Sequence, residues 1–107
     1  MAEKSIFLDI VGDSSAMRIM QFFIEGRHFD YTLSDLARDA GVSWGTLHAI
    51  FPKLVKYGLV RQVRTVGRAK LYKINAENVI TARIIQLYDL ISDLNLAKRA
   101  QKQLVKA

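Results

Sequence analysis

The chain has 107 residues, half of them hydrophobic, and a formal net charge of +6. This length allows one compact core and is too short for two ordinary domains. No segment approaches the ~20 consecutive apolar residues of a membrane span, and the N-terminus lacks the basic and then apolar layout of a signal peptide. The absence of cysteine excludes disulfides and thiolate metal sites. We therefore expect a soluble cytoplasmic protein without a membrane partner.

The basic charge is concentrated in the middle of the chain. Residues 1–39 carry four basic and seven acidic side chains, residues 40–76 seven basic and no acidic ones, and residues 77–107 five basic and three acidic ones. An acid-free run of 37 residues exceeds what ordinary surface decoration requires. This distribution indicates a polyanionic partner.

The first 31 residues predict two helices and a short extended segment. Residues 5–11 are mostly apolar and suit a short helix or a strand, of which we favour the helix. Asp13 or Ser14 caps a second helix that Gly26 ends. Its apolar residues recur at helical spacing and are expected to form core rather than a cofactor site: Met17, Met20, Phe23 and Ile24. His28 has no second ligand at metal-binding spacing, so we expect no metal there.

A capping box predicts the start of a third helix at Thr32. The Thr32 hydroxyl can accept from the amide of Asp35, whose carboxylate can accept from the amide of Thr32. The helix should end near Ala40, because Gly41 readily adopts the left-handed conformation that follows a helix. Its apolar face consists of Leu33, Leu36, Ala37 and Ala40.

A fourth helix follows after a very short turn. Ser43 is a good N-cap, which leaves Gly41-Val42-Ser43 as a three-residue turn with one apolar residue in its middle. This spacing is typical of a helix-turn-helix unit. One side of the fourth helix is apolar, with Leu47, Ile50, Phe51 and Leu54. The other side is small near its start and basic near its end, with Gly45, His48, Ala49, Pro52, Lys53 and Lys56, before Gly58 stops the helix.

Pro52 lies inside the fourth helix, where it removes a hydrogen bond to the carbonyl of His48. A kink there could set how the helix enters a groove. The alternative, which we slightly favour, is a tolerated distortion on a solvent-facing side of the helix.

Two β-prone runs, 59–65 and 69–74, predict a hairpin that turns at Gly67. Its basic residues are Arg61, Arg64, Arg68, Lys70 and Lys73, with Arg68 at or near the tip. Basic residues on a sheet edge can simply discourage edge pairing. Five basic residues with no acidic residue among them are more than is needed to discourage edge pairing.

Residues 77–104 predict a final helix about 42 Å long at ~1.5 Å per residue. An apolar stripe recurs at steps of four and three, formed by Ile80, Ile84, Leu87, Ile91 and Leu94. Further apolar residues widen it beyond what one small domain can cover. The helix can fold back onto its own core or pair with a second copy, and we favour the homodimer.

These features together resemble the winged helix-turn-helix transcriptional regulators of prokaryotes, in the MarR-like and ArsR-like groups. The resemblance rests on Leu36-Ala37, Gly41-Val42-Ser43, Thr46-Leu47, Leu54 and Tyr57-Gly58-Leu59-Val60, and it covers residues 13–75 best. It implies a mainly α fold with a small β-hairpin, the wing, against which residues 29–32 pair as a short strand. Residues 1–76 would form the DNA-binding domain, and residues 77–107 a dimerisation helix of the same compact unit. ArsR-like metal sensors resemble one another in using cysteine-bearing sites, which this chain lacks.

The leading hypothesis is a dimeric, sequence-specific regulator that binds double-stranded DNA. Helix 44–57 would enter the major groove, and wing 60–74 would contact the backbone or minor groove. The resemblance implies groove or phosphate contacts for Ser43, Trp44, Gly45, Thr46, His48, Ala49 and Lys53. Phosphate-directed cations would be Lys56, Arg61, Arg64, Arg68 and Lys70. Trp44 could stack on a sugar or thymine methyl, or pack against the third helix.

A second hypothesis is a winged-helix protein-interaction module within a transcription or replication assembly. An apolar outward side of the fourth helix would favour this hypothesis. Lys53 and Lys56 favour nucleic acid, whereas Trp44 and Ala49 leave this alternative open. We expect no enzymatic activity and no cofactor, because the sequence has no paired carboxylates, no nucleophile with a plausible base and no phosphate-binding glycine loop. The sequence assigns no effector ligand.

Overall fold

The computed structural model describes the backbone of residues 5–106 and the side chains of residues 5–95. The elements in chain order are α1 (Ile6–Val11), α2 (Ser15–Glu25), α3 (Leu33–Asp39), α4 (Trp44–Lys56), β1 (Val60–Val66), β2 (Ala69–Ile74) and α5 (Val79–Lys106). The predicted fold class, mainly α with one small β-hairpin, is confirmed. Of the predicted domain ranges, residues 1–4 and 107 lie outside the described residues.

The first two helices supply much of the core. Each begins at a serine N-cap: Ser5 accepts from the amide of Leu8 at 3.2 Å, and Ser14 from the amide of Met17 at 3.1 Å. The helix that we favoured for residues 5–11 is confirmed. Among the described residues, one buried cluster has members on every helix and strand: Phe7, Leu8, Ile19, Met20, Phe23, Ile24, Leu36, Val42, Leu47, Phe51, Leu54, Val60, Ile74 and Ile85. Burying this much apolar surface is the main force that holds the helices together.

The helix-turn-helix unit forms as the local signals predict. Thr32 and Asp35 make the reciprocal capping box, with bonds of 3.1 and 3.0 Å. Gly41 has a φ of +68°, and Ser43 then caps α4. Val42 in the middle of the turn is buried, so the turn is anchored to the core. The described helix α4 continues past Pro52 to Lys56.

β1 and β2 form an antiparallel hairpin whose turn contains Gly67 at a φ of +60°, and this hairpin is the wing. The predicted strand at 29–32 is wrong in extent, because only a single bridge forms there, between Tyr31 and Tyr72. Thr32 already serves as the N-cap of α3, so little chain is left for a strand. Two backbone bonds of 2.8 Å at this bridge still fix the wing to the start of the helix-turn-helix unit.

A β-bulge at Val63 interrupts the hairpin. Gln62 lies opposite Tyr72 and Arg64 opposite Leu71, so Val63 is left without a partner. Residues opposite each other share a face of the sheet, and faces alternate along a strand. We call the face that contains the buried residues Val60 and Ile74 the inner face; it also carries Gln62, Thr65, Lys70 and Tyr72. The opposite, outer face carries Arg61, Arg64, Val66, Ala69, Lys73 and Leu71, of which Leu71 is buried.

α5 begins at Val79, two residues after the predicted start at 77. The reason is a turn at residues 75–78, in which Asn78 rather than Asn75 or Ala76 caps the helix by accepting from the amide of Thr81 at 3.2 Å. Arg27 at the end of α2 binds Asp89 through two bonds of 3.0 and 2.7 Å and so attaches the middle of α5 to the body. Among the described residues, no helix is long and apolar enough to cross a membrane.

Candidate nucleic-acid interface

The outer side of α4 is exposed over its whole length. Leu47, Phe51 and Leu54 are buried on the inner side, as the periodicity predicts. The residues predicted to face a partner are all exposed except Thr46, which is half-buried: Ser43, Trp44, Gly45, His48, Ala49, Lys53 and Lys56. The structure therefore brings the sequence-predicted residues of α4 together on one accessible face.

The start of this face carries two aromatic rings. Trp44 is 51% exposed and meets His48 edge-on, with ring centroids 4.4 Å apart. The indole is thus held by a neighbour on its own helix while much of its ring stays accessible. Such a ring can contact a sugar, a thymine methyl or an apolar protein side chain.

The hydroxyls at the start of α4 are engaged within the helix cap. Ser43 accepts from the amide of Thr46 at 3.3 Å, and its hydroxyl donates to the Thr46 hydroxyl at 2.8 Å. This pairing fixes both side chains at the N-terminal end of α4, where amides lacking intrahelical partners favour an anion.

The other end of the face is cationic. Lys53 and Lys56 lie on the last two turns of α4 and are exposed. The Lys56 ammonium lies 5.7 Å from the centre of the ring of Tyr57, an exposed aromatic residue that was not among the predicted site residues.

The cations on the two strands of the wing divide between its two faces, and the bulge puts Arg61 and Arg64 on the same one. Arg61, Arg64 and Lys73 share the outer face, whereas Lys70 lies on the inner face near the turn that holds Arg68. Arg68 and Lys70 line a cavity of about 250 Å³ together with Thr32, Leu33 and Ser34 at the start of α3. These two cations therefore lie beside the start of the helix-turn-helix unit.

Arg64 is bound by an acid from outside the wing. Its Nε donates to Asp30 at 2.6 Å and its Nη2 at 3.1 Å, and Asp30 precedes the Tyr31 bridge. Hydrogen bonding from Arg64 is the main cause that lowers the pKa of Asp30, and the nearby charge of Lys73 lowers it further. Arg64 was predicted as a phosphate-directed cation, yet in the structure it has an ion-pair partner that sequence reasoning missed. The two residues are 34 positions apart and no local pattern connects them.

The predicted dimerisation stripe on α5 divides between two sides. Ile84 and Ile91 are half-buried against the molecule's own core. Ile80, Leu87 and Leu94 are 57%, 38% and 56% exposed and form a line at seven-residue spacing. Leu90 is also exposed beside this line.

Acidic side chains collect elsewhere. Asp9, Asp13, Glu25 and Asp39 line a cavity of about 420 Å³ that is bounded by residues of α1, α2 and the end of α3. No residue of α4 or of the wing lines it. Among the described residues, no group of three His, Asp or Glu side chains could hold a metal ion.

Helices α2, α3 and α4, the short turn between α3 and α4 and the basic two-stranded wing together define the fold of a winged helix-turn-helix protein. Solved structures of this class are similar to the chain. MarR from E. coli in its apo form is 17% identical over 91% of this chain and 70% of that chain, with a TM-score of 0.60. MepR, a transcription regulator of the Staphylococcus aureus multidrug efflux pump MepA, is 10% identical over 91% and 75%, with a TM-score of 0.61.

Sso10a-2, a DNA-binding protein from Sulfolobus solfataricus, is 20% identical over 82% of this chain and 93% of that chain, with a TM-score of 0.52. No family model and no curated sequence matches the chain. The predicted resemblance to MarR-like winged-helix proteins is therefore confirmed at the level of the fold.

Proposed function

We propose that this protein is a homodimeric, sequence-specific regulator of transcription that binds double-stranded DNA. The observation that carries the proposal is the exposed face of α4, which is acid-free, bears Lys53 and Lys56 and continues into a basic wing. Proteins with this fold include DNA-binding transcription regulators, which supports the same role here.

The geometry supports different roles for helix and wing. α4 has the size to enter a major groove, where His48, Ala49 and Lys53 would meet base edges. Arg61, Arg68 and Lys70 would bind phosphates or reach the minor groove beside it. Base contacts give sequence preference, whereas phosphate contacts give affinity that falls with salt.

The apolar line on α5 supports a homodimer. Ile80, Leu87 and Leu94 would be covered by the same helix of a second copy, and Ile84 and Ile91 would support them from beneath. Leu87→Glu with Leu94→Glu should then dissociate the dimer in sedimentation experiments at micromolar concentration. Gln86→Glu on the same helix is the matched control, since it adds a charge beside the line. A monomeric wild-type protein would contradict this part of the proposal.

Two-fold symmetry of the dimer requires DNA with matching symmetry. The half-sites should be pseudo-palindromic and lie ~34–36 Å apart, about one helical turn. Selection from random duplex DNA, followed by footprinting, tests this directly. A single asymmetric half-site would exclude the symmetric binding mode.

The salt dependence follows from the number of available cations. Six cations per protomer remain available when Arg64 is left out because it pairs with Asp30. They are Lys53, Lys56, Arg61, Arg68, Lys70 and Lys73. If half of the twelve in a dimer contact phosphates, the log-log slope of affinity against salt should be about −5. A slope near zero would instead favour a protein-interaction module, for which the exposed Trp44 would be the anchor.

A further inference from the structure

The turn that leads into α5 is hydrogen-bonded to the residues that end α4. The Asn75 side chain donates to the carbonyl of Gly58 at 3.0 Å, and the Asn78 side chain donates to the carbonyl of Tyr57 at 3.0 Å. The backbone amide of Asn75 donates to the carbonyl of Leu59 at 2.9 Å. Three consecutive carbonyls after α4 are thus bound by this turn. We call Asn75 and Asn78 the asparagine clamp.

The carbonyls that the clamp binds belong to the two residues that directly follow the last helical residue of α4, where no further helical turn supplies amide donors. Tyr57 is the C-cap of α4, and Gly58 turns the chain away with a φ of +73°. A Cβ at Gly58 would lie 2.9 Å from the Asn78 side-chain nitrogen, so glycine also gives the clamp room to approach. The close contact therefore depends on glycine at position 58 and on the asparagine side chain at position 78.

Asn78 uses both ends of its amide group. Its oxygen accepts from the amide of Thr81 and caps α5, while its nitrogen donates to the carbonyl of Tyr57. Aspartate or serine could cap the helix, but an ionised aspartate has no donor for the carbonyl. One side chain thus joins the first turn of α5 to the last turn of α4. Thr81 beneath it is fully buried, and its hydroxyl donates to the carbonyl of Leu59 at 3.4 Å.

We propose that the asparagine clamp is a positioning element that fixes the angle between α4 and α5. It thereby also fixes the spacing between the two α4 helices of a dimer. The second statement rests on the proposed function, whereas the first does not. Apolar contacts are non-directional and permit small rotations between helices, but hydrogen bonds require defined distances and angles. Arg27 and Asp89 attach the middle of α5 to the body beside α2, whereas the clamp bonds the first turn of α5 directly to the residues that end α4.

The decisive variant is Asn78→Asp. It preserves the shape and the capping oxygen, and it replaces the donor that faces the Tyr57 carbonyl by a second acceptor. Asn95→Asp is the matched control, because it makes the same change further along α5. Asn75→Asp removes the other donor and is measured in parallel, so that the test does not depend on one variant folding.

The first measurement needs no DNA. The chain has no cysteine, so Lys53→Cys and Gln86→Cys provide one spin label on α4 and one on α5. Labelled protein diluted with unlabelled protein reports the distance within one chain. We expect a single narrow distribution in the parent and in Asn95→Asp, and a broader or displaced one in Asn78→Asp and Asn75→Asp. An unchanged distribution in both clamp variants would overturn the proposal.

The second measurement uses selected DNA sites whose half-sites are moved apart or together by one and two base pairs. The parent should discriminate strongly against the changed spacings. Loss of one clamp bond should reduce this discrimination about tenfold, by an amount typical of one hydrogen bond. An equal loss of affinity at every spacing would mean that the clamp serves stability alone and would overturn its role in spacing. If the parent binds no paired half-sites, the proposed function fails. The spin-label measurement still tests whether the clamp fixes the angle between α4 and α5.

Discussion

Replacing Asp30 by asparagine tests whether the bridge to the wing withholds Arg64 from DNA. The bridge uses Nε and Nη2, the edge of the guanidinium that also binds phosphate in bidentate fashion. Asparagine preserves the size of the side chain and removes the charge that holds this edge. We therefore expect Asp30→Asn to bind duplex DNA more tightly than the parent.

The size of the effect follows from the number of arginines released. A dimer releases two, and each new phosphate contact changes the log-log salt slope by about −0.9, so the slope should steepen by about 1.8. If the two proteins bind equally at 1 M salt, this difference corresponds to roughly 30-fold tighter binding at 0.15 M. The gain should be the same for unrelated sequences, since phosphate contacts do not depend on the bases.

The assay is a fluorescence-anisotropy titration of a selected duplex and a scrambled duplex over a range of salt concentrations. Asp39→Asn is the matched control, because it removes one exposed acid while Arg38 keeps its bond to Asp35 at 3.1 Å. The double variant Asp30→Asn with Arg64→Gln should lose the gain if Arg64 is the released cation.

Weaker binding by Asp30→Asn would refute this reasoning, because Asp30 would then orient Arg64 for a DNA contact instead of occupying it. The result should also be independent of pH between 5 and 8. Arg64 holds the pKa of Asp30 below its usual range, so the parent carboxylate stays ionised throughout that interval.

Three further outcomes are expected. Arg68→Ala should weaken binding to all duplexes alike and flatten the salt slope of a dimer by about 1.8, measured in the same titration; a changed sequence preference would contradict it. Phe23→Ala removes a fully buried ring and should lower the free energy of unfolding by about 3–5 kcal/mol in urea titrations. Hydrogen bonding from Arg27 lowers the pKa of Asp89, so this pair stabilises the fold above pH ~4 and its contribution is lost as pH falls through the folded-state pKa. Asp89→Asn should therefore cost about 1 kcal/mol or less at pH 7 and progressively less as pH falls below ~4, measured by urea unfolding across that range.

The boundaries of the helix-turn-helix unit could be predicted because each is set by residues close in sequence. The capping box at Thr32 and Asp35 and the turn at Gly41 depend on backbone groups within a few positions. The same holds for Gly67 in the wing. These elements form where the sequence predicts them because tertiary packing agrees with the local preference.

The start of α5 was predicted too early because its cap depends on a distant segment. Asn75 and Asn78 are both reasonable capping residues, and Asn78 is the one that caps α5. Both side chains also donate to carbonyls of a segment distant in sequence, Asn78 to Tyr57 and Asn75 to Gly58. Periodicity likewise identified an apolar stripe on α5 without distinguishing its two sides. Ile85, which is not part of that stripe, is the buried apolar residue among the described side chains of α5, and the polar residue Thr81 is fully buried on the same helix.

The state of Arg64 could not be predicted from the sequence. Its partner Asp30 comes from a loop far along the chain, and regular alternation along β1 would assign Arg61 and Arg64 to opposite faces. The sequence therefore identified the basic wing correctly as a set of charges, but not the faces on which they lie.

The bulge at Val63 bears on how this wing is compared with others. It absorbs one extra residue, so the residues on either side keep the faces that an uninterrupted ladder would give them. An alignment of this wing with a regular hairpin therefore needs a one-residue gap at Val63. Without that gap, every residue on one side of the bulge is aligned one position away from its structural equivalent. Either Arg61 or Arg64 is then aligned with a residue of the opposite face. In this wing, deletion of the bulge residue would leave the charged residues on their present faces, whereas a one-residue deletion elsewhere in β1 would exchange the two faces on one side of it.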